Sequence, residues 1–185
     1  MNHRRPVVAL GALLLFAATA RGDDGFWTTA GGGSWGNGAN WDSGTIADGT
    51  DNTAFFGTLV NNPANTTVTL DGARTIGNLL FTDQSGADNW ILNPGTGGTL
   101  TLDNTFEAPN ITVALAAQLV TMNAVLAGTN GLEKLGAGTL QLTATNTFTG
   151  EAVVSAGTLR VNGRIGGDGV TVAGGSLGGT GVNGA

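Results

Sequence analysis

The amino-acid sequence predicts an all-β fold, a solenoid of short strands with about 20 residues in each coil. The first observation is composition: the 185 residues include 33 glycines, and only 11% of the residues are charged. Apolar residues come in short runs among Thr, Asn and Gly, which is typical of many short strands joined by tight turns. The second is a repeated phrase, AGTL, which begins at Ala137 and again at Ala156. Recurrence at this spacing favours stacked coils.

The N-terminal segment predicts export. Basic residues at positions 3–5 precede an apolar stretch over residues 7–20, and the small residues Ala18 and Ala20 suit a cleavage site. Residues 1–22 are therefore predicted to be a signal peptide, a signal helix removed near Ala20 or Gly22. The stretch falls short of the roughly 20 apolar residues that cross a bilayer. We expect a secreted or cell-surface protein whose mature chain is not inserted in the membrane.

The negative net charge of the mature chain limits the kinds of partner that it is expected to bind. After cleavage, four basic residues remain against all thirteen carboxylates. Nucleic acid is not expected as a partner because phosphate binding needs clustered Lys and Arg, and adhesion to anionic lipid is disfavoured for the same reason. Because the chain has no cysteine, backbone ladders and side-chain stacking must stabilise the fold.

Residues 23–57 form a Trp- and Gly-rich region that contains Trp27, Trp35 and Trp41. We predict that these bulky side chains cap the N-terminal end of the solenoid, where the first coil would otherwise leave its core open. The alternative is a platform on which sugar rings stack, so that the three tryptophans contact a ligand.

Residues 58–185 are predicted to be the solenoid repeats. Leucines recur along the chain at intervals of about 20 residues, beginning with Leu59. We expect the later members of this series to stack in one internal ladder: Leu79, Leu100, Leu119, Leu140, Leu159 and Leu177. Within each strand, leucines alternate with polar residues, as Leu140 and Leu142 do with Thr139 and Gln141. Asn residues at the turns are expected to form ladders between coils.

The most specific pattern covers residues 131–163, which read GLEKLGAGTLQLTATNTFTGEAVVSAGTLRVNG. This stretch resembles the autotransporter-associated beta strand repeat, whose typical form is GLxKxGxGTLxLxGxNTYTGxTxVxxGTLxV, with Phe148 in place of the usual tyrosine. The resemblance implies a right-handed parallel β-helix on a secreted or surface-displayed protein, without enzyme activity. The chain stops within a repeat, so we expect a solenoid truncated at its C-terminus, with an open edge that end-to-end self-association would cover.

Two stretches of the sequence bear comparison with known calcium-binding patterns. Asp42, Asp48 and Asp51 lie on one short stretch and are candidate calcium ligands, but their spacing is not that of an EF-hand. Residues 166–172, GGDGVTV, resemble a calcium-binding nonapeptide, yet Thr171 stands where that motif needs aspartate. We expect these aspartates to lie in turns and to be solvated, and we expect the protein to bind neither a metal nor a cofactor.

Catalysis is not expected either. The mature chain lacks histidine, cysteine and tyrosine. Asp83 and Asp103, one predicted repeat apart, are able to align in successive coils, but like charges at that separation favour exposure or a bound cation over a catalytic dyad. Asp103 and Glu107 flank a turn, and no third catalytic side chain accompanies them.

The sequence therefore predicts an exported structural or adhesive β-solenoid that binds cell-surface or extracellular matrix components, including glycans. Two alternatives remain open: a carbohydrate-binding module that uses the tryptophan cluster, and a polysaccharide-degrading β-helix enzyme.

Overall fold

Eighteen β-strands and two short 3-10 turns make up the described part of the chain, which comprises residues 22–57, 65–83 and 89–183 of a computed structural model. In chain order the strands are β1 Gly25–Trp27, β2 Gly33–Ser34, β3 Gly49–Phe56, β4 Asn65–Leu70, β5 Arg74–Phe81, β6 Asn89–Pro94, β7 Thr99–Leu102, β8 Asn110–Val113, β9 Leu119–Met122, β10 Val125–Gly128, β11 Leu132–Leu135, β12 Thr139–Leu142, β13 Ala152–Val154, β14 Thr158–Val161, β15 Arg164–Ile165, β16 Val170–Val172, β17 Ser176–Gly178 and β18 Val182–Asn183. The 3-10 turns span Gly38–Asn40 and Asp42–Gly44. The predicted signal peptide and Leu59 lie outside the described residues.

The strands stack into a parallel β-helix. One sheet has the strand order β1-β3-β5-β8-β11-β13-β16, and a second has the order β2-β4-β6-β9-β12-β14-β17. Each coil therefore adds one strand to each sheet. A third face runs through the start of β5, then β7 and β10, and ends in the pair β15–β18. The predicted all-β solenoid is confirmed.

Alternation along the strands places the core between the sheets. In the second sheet, inward positions are filled by two ladders of buried side chains: Trp90, Val120, Leu140 and Leu159 in one, and Val68, Leu92, Met122, Leu142 and Val161 in the other. Burial of each such side chain stabilises the fold by about 1.5–3 kcal/mol. The intervening residues, Thr121 and Gln141 among them, are half-buried and face outward.

The predicted leucine ladder is correct only at its C-terminal end. Leu140, Leu159 and Leu177 are in register on β12, β14 and β17. Leu119 is opposite Thr139 and faces outward, so Val120 takes the inward place beside Leu140. Leu79 and Leu100 are buried but belong to β5 and β7, away from the second sheet.

Coil length explains this error. Successive partners along one inward ladder of the second sheet are Thr66, Trp90, Val120, Leu140, Leu159 and Leu177. The sequence interval between partners is longest from Trp90 to Val120, and an interval of about 20 residues holds only from β9 onward. Before β9, the coils carry extra residues, and the even spacing of leucines there joins positions from different sheets.

The repeated AGTL phrase marks a tight corner between the two sheets. Its threonines, Thr139 and Thr158, are in register. The glycine before the second, Gly157, has φ +64°, and a Cβ on it would overlap the carbonyl oxygens of Gly136 and Gly138 in the preceding coil. Only glycine allows successive corners to stack this closely.

Candidate functional site

The three candidate ligand-contacting tryptophans are buried. Trp27 and Trp35 are 0% exposed and Trp41 is 2% exposed. Their rings meet edge to face, with centroids 5.1 Å apart in both the Trp27–Trp41 and the Trp35–Trp41 pairs. Each indole Nε1 donates to a main-chain oxygen: that of Thr29 (2.7 Å), Ala47 (2.9 Å) and Trp35 (2.7 Å), respectively. No ring face is therefore open to a sugar, and the three side chains act in packing.

Phe56 joins this cluster to the coils behind it. Its ring contacts all three tryptophans and stacks on Phe81 at a centroid distance of 4.8 Å. Trp90 continues the aromatic core at 5.1 Å from Phe56. We call Trp27, Trp35, Trp41 and Phe56 the aromatic cap. It fills the first described coils with large rings, whereas most of the buried side chains after Trp90 are aliphatic.

A polar groove of about 980 Å³ runs beside the aromatic cap. We call it the acidic groove, and it is lined by Gly22, Asp23, Ile46, Asp48, Gly49, Thr50, Asp51, Asn52, Arg74 and Thr75. Asp48 accepts from Arg74 Nη1 at 3.1 Å and from the backbone N–H of Thr75 at 3.1 Å. Arg74 Nε is buried and makes no hydrogen bond. In the Arg74 guanidinium, Nη1 is therefore bonded to Asp48 and Nε is not bonded.

Asp51 connects the acidic groove to the chain segment that follows β7. It is one of two non-glycine residues with positive φ in the described ranges, at +65°. Its carboxylate accepts from the Thr105 backbone N–H and hydroxyl, both at 2.6 Å. These bonds, the hydroxyl first, hold the pKa of Asp51 below its usual value, so the side chain stays ionised at neutral pH.

A set of side-chain amides lies behind this connection. Asn104 is 7% exposed and donates to Asn78 Oδ1 at 3.0 Å. Asn130, from the next coil, donates to the Asn104 main-chain oxygen at 2.6 Å. A second amide ladder links Asn93 and Asn123 at 2.7 Å. The expectation that asparagines bond between coils is met at these positions.

The calcium hypothesis finds no support in the geometry. Asp48 and Asp51 both line the acidic groove, but Asp42 is in the second 3-10 turn and does not. Arg74 and Thr105 already bind the two groove carboxylates. Within residues 22–57, 65–83 and 89–183, no three His, Asp or Glu side chains are grouped to hold a metal ion.

The two carboxylates considered for a catalytic dyad, Asp83 and Asp103, bond to different parts of the protein. Asp83 is buried and accepts from Trp90 Nε1 at 2.8 Å and from Gln118 Nε2 at 3.3 Å. Asp103 follows β7 on the third face and accepts from Thr50 Oγ1 at 2.7 Å. One regular repeat separates the two aspartates in sequence, yet they are not neighbours because the coil that links β5 to β8 is longer than that repeat.

Lys134 is a feature that sequence reasoning missed. It is 0% exposed and occupies the inward ladder between Ile111 and Val154. Its Nζ donates to three carbonyl oxygens: Leu135 (2.7 Å), Gly136 (2.8 Å) and Ala156 (3.2 Å). Burial lowers the pKa of Lys134 to about 8. The alternation Leu132, Glu133, Lys134 was the available signal, since it places the lysine on the same face as Leu132.

The last coil exposes apolar side chains that are buried in the coils before it. Val172 and Leu177 end inward ladders and are 46% and 36% exposed. Val182 in β18 is 59% exposed as well, but it pairs with the exposed Arg164 and faces outward. The inward positions there have no following coil among the described residues. A different exposed residue, Phe106, lies on the loop between β7 and β8 at 94% exposure.

Comparison with known proteins agrees with the β-helical repeat. Residues 132–161 match the family model of the passenger-associated-transport-repeat. The chain is 37% identical over 162 residues to the adhesin BmaC autotransporter of Brucella suis biovar 1 (strain 1330). That match covers 80% of this chain but only 4% of the relative. No solved structure matches the chain. Among the described residues, no helix is long and apolar enough to cross a membrane.

Proposed function

We propose that the chain is a repeat segment of the autotransporter passenger type, which serves outside the cell as a rigid adhesive or structural segment; the matched repeat and the similar relative support this. The observation that carries the proposal is the pair of parallel sheets that continue through every coil. A solenoid of this kind holds its outward side chains at fixed positions along a rod. The matched relative is named an adhesin, which supports adhesion as the role.

The proposed location is the cell surface or the extracellular space. The predicted signal peptide at residues 1–22 supports export, and the hydrogen-bonded ladders suit a protein without disulfides. Sequencing the N-terminus of the exported chain tests this. Cleavage after Ala20 or Gly22 is expected, whereas an intact Met1 on the exported protein contradicts it.

We propose that the chain has no catalytic role. Asp83 is enclosed by Trp90 and Gln118, and Asp48 and Asp51 are bound by Arg74 and Thr105. A hydrolytic pair needs two carboxyl groups flanking one substrate bond. Asp48, Asp51, Asp83 and Asp103 each accept hydrogen bonds from other protein groups, which disfavours the polysaccharide-degrading alternative.

Adhesion is tested with beads that carry the purified mature chain, washed under flow over epithelial cells and over immobilised extracellular matrix. A control carries Phe56→Asp together with Leu140→Asp, which places an unpaired charge in the buried core of both the N-terminal and the C-terminal coils and disrupts them. We expect wild-type beads to be retained several-fold better than control beads. Equal retention on every surface contradicts adhesion and leaves the structural role.

A further inference from the structure

The loop between β7 and β8 is longer than the fold requires. We call residues 103–109 the Phe106 loop. Because β7 pairs with β10 and β8 pairs with β11, the equivalent connection one coil later is residues 129–131. Three residues thus close the turn there, where seven are used here. The additional residues do not serve coil closure.

Both ends of the Phe106 loop are fixed. At its start, Asn104 bonds Asn78 and Thr105 makes two bonds to Asp51. At its end, Pro109 is buried and its carbonyl oxygen accepts from the Glu133 backbone N–H at 2.8 Å. Residues 105–108 between these points are all exposed. The loop therefore projects from a fixed base, which reduces the entropy lost when it binds a partner.

Phe106 is the most exposed large apolar residue of the described chain, at 94%. A phenylalanine left in water forgoes the free energy that it would gain by burial. Aromatic side chains at such positions are the usual anchors of protein interfaces. On an inserted loop with a fixed base, this side chain is placed to insert between apolar groups of another molecule.

The surroundings of Phe106 are strongly negative. Thr50 and Asp51 of the acidic groove bond directly to Asp103 and Thr105 at the base of the loop. The groove and the loop together carry five carboxylates, and the one basic residue among them is Arg74: Asp23, Asp48, Asp51, Asp103 and Glu107. Such a surface attracts cationic partners and repels phosphate, sulfate and anionic lipid.

We propose that the Phe106 loop and the acidic groove form a docking site for a basic, extended polypeptide segment of a partner protein. Lysine or arginine side chains of that segment enter the groove, and an apolar side chain next to them packs on the Phe106 ring. A neutral glycan gains nothing from the net charge, whereas a polypeptide supplies both cations and apolar groups. The inference rests on the proposed adhesive function and names the chemistry of its partner.

The test is selection of a random peptide library, displayed on phage, against the full mature chain. Binders that also recognise the Phe106→Ala protein are removed. We expect the remaining peptides to contain an apolar residue close to at least two Lys or Arg, and their binding to weaken as salt increases. If no Phe106-dependent peptide emerges, or if such peptides are acidic or neutral, the proposal is overturned.

Three purified variants make the test quantitative with one selected peptide. Phe106→Ala is expected to weaken binding about tenfold or more, in line with the loss of a central aromatic anchor. Asp23→Asn is expected to weaken peptide binding about threefold, because it removes one negative charge from the acidic groove. The main-chain oxygen of Asp23, which accepts from the Asp48 N–H, is kept in this variant. Phe26→Ala, at a 43% exposed phenylalanine on β1, is the matched control and leaves binding unchanged. Tryptophan emission checks that each variant is folded.

The bead assay separates the two proposals. If wild-type beads are not retained on any surface, the adhesive function fails. If wild-type and Phe106→Ala beads are retained equally, adhesion stands and the docking site is wrong. Loss of retention in Phe106→Ala beads alone, with Phe26→Ala beads retained, supports both.

Discussion

The N-terminal region, residues 22–109, and the C-terminal region, residues 110–172, share the same two sheets but fill them differently. The N-terminal region is filled by large rings, including Trp35, Phe56 and Trp90, and its coils are long and unequal. The C-terminal region uses mainly aliphatic side chains, with Phe148 as a buried ring, in coils of nearly constant length. A side chain inside the helix packs between equivalents in two neighbouring coils, whereas the first described coil has one neighbour among the described residues. Large aromatic rings fill the core at that end.

Because the tryptophans are confined to the N-terminal region, two spectroscopic signals can follow the unfolding of the two regions separately. The chain has four tryptophans, and the last is Trp90. Tryptophan emission therefore reports the N-terminal region, while circular dichroism reports strands throughout the chain. If stability is set largely by contacts between adjacent coils, a substitution in one region should act mainly on that region's signal.

The largest effect is expected from Leu140→Asp. Leu140 is fully buried between Val120 and Leu159, and an unpaired carboxylate at that position costs more than about 4 kcal/mol. Circular dichroism should lose much of its β signal while tryptophan emission stays native. The outward-facing neighbour serves as control, so Gln141→Asp should leave both signals unchanged. Simultaneous loss of both signals in Leu140→Asp would mean that the two regions unfold as one unit.

A smaller effect is expected from removing one ring of the aromatic cap. Phe56→Ala leaves a cavity among Trp27, Trp35 and Phe81 and should cost about 3–5 kcal/mol. The urea midpoint followed by tryptophan emission should fall, with little change in the remaining dichroism transition. Phe148→Ala, at a buried phenylalanine of the C-terminal region, is the matched variant and should give the opposite result. Identical effects of the two variants on both signals would argue against separate regions.

Because Lys134 is buried in the C-terminal region, the free energy of unfolding of that region should depend on pH. Burial lowers its pKa from 10.5 to about 8, so above pH 8 the unfolded chain binds more protons than the folded chain. The free energy of unfolding should therefore rise between about pH 8 and 10.5. The chain has no tyrosine, no cysteine and no other lysine, so few other groups titrate in this range.

Urea unfolding of the C-terminal region at pH 7.5 and at pH 10 measures this slope. Lys134→Met removes the titrating group and should make the two values nearly equal. A wild-type stability that falls over this range would show that the three carbonyl oxygens bonded by Nζ favour the charged amine more than burial disfavours it.

The smallest effect is expected in the outward amide ladder. Asn123 donates to Asn93 Oδ1 and accepts from Thr143 Oγ1 at 2.6 Å, joining three successive coils. Asn123→Ala should cost about 1 kcal/mol because the partners are partly solvated. A double-mutant cycle with Thr143→Val should give a coupling of about 0.5 kcal/mol or more. Additive effects would mean that these amides do not stabilise the stacking of coils.

The parts of the fold that sequence predicts are those set by neighbouring residues. Alternation in β12 and β14 predicted the inward leucines, and the AGTL phrase predicted the stacked coils, whose tight corner at Gly157 the structure adds. The ladder positions predicted at Leu79, Leu100 and Leu119, up to and including β9, were wrong. A strand's own pattern does not say which sheet it joins, and extra residues between strands change the register.

The candidate sites depended on contacts between distant segments. Trp27, Trp35 and Trp41 were considered as ligand contacts, but their burial follows from packing with Phe56, on a strand of the next coil. The link from Asp51 to Thr105 joins residues that are 54 positions apart. Exposure of Phe106 depends on the length of its loop relative to the next coil, which becomes visible only once the strands are aligned.

The central claim is that one continuous parallel helix includes coils of unequal length, and cysteine cross-linking tests it most directly. The chain has no native cysteine, and Ile91 and Thr121 are paired, outward-facing positions on β6 and β9 although more than one regular repeat separates them in sequence. We predict that Ile91→Cys with Thr121→Cys forms a disulfide readily on mild oxidation, since paired positions fall within disulfide reach. A uniform coil of about 20 residues would instead pair Thr101 with Thr121. Efficient cross-linking of Thr101→Cys with Thr121→Cys, and not of the first pair, would contradict the register described here.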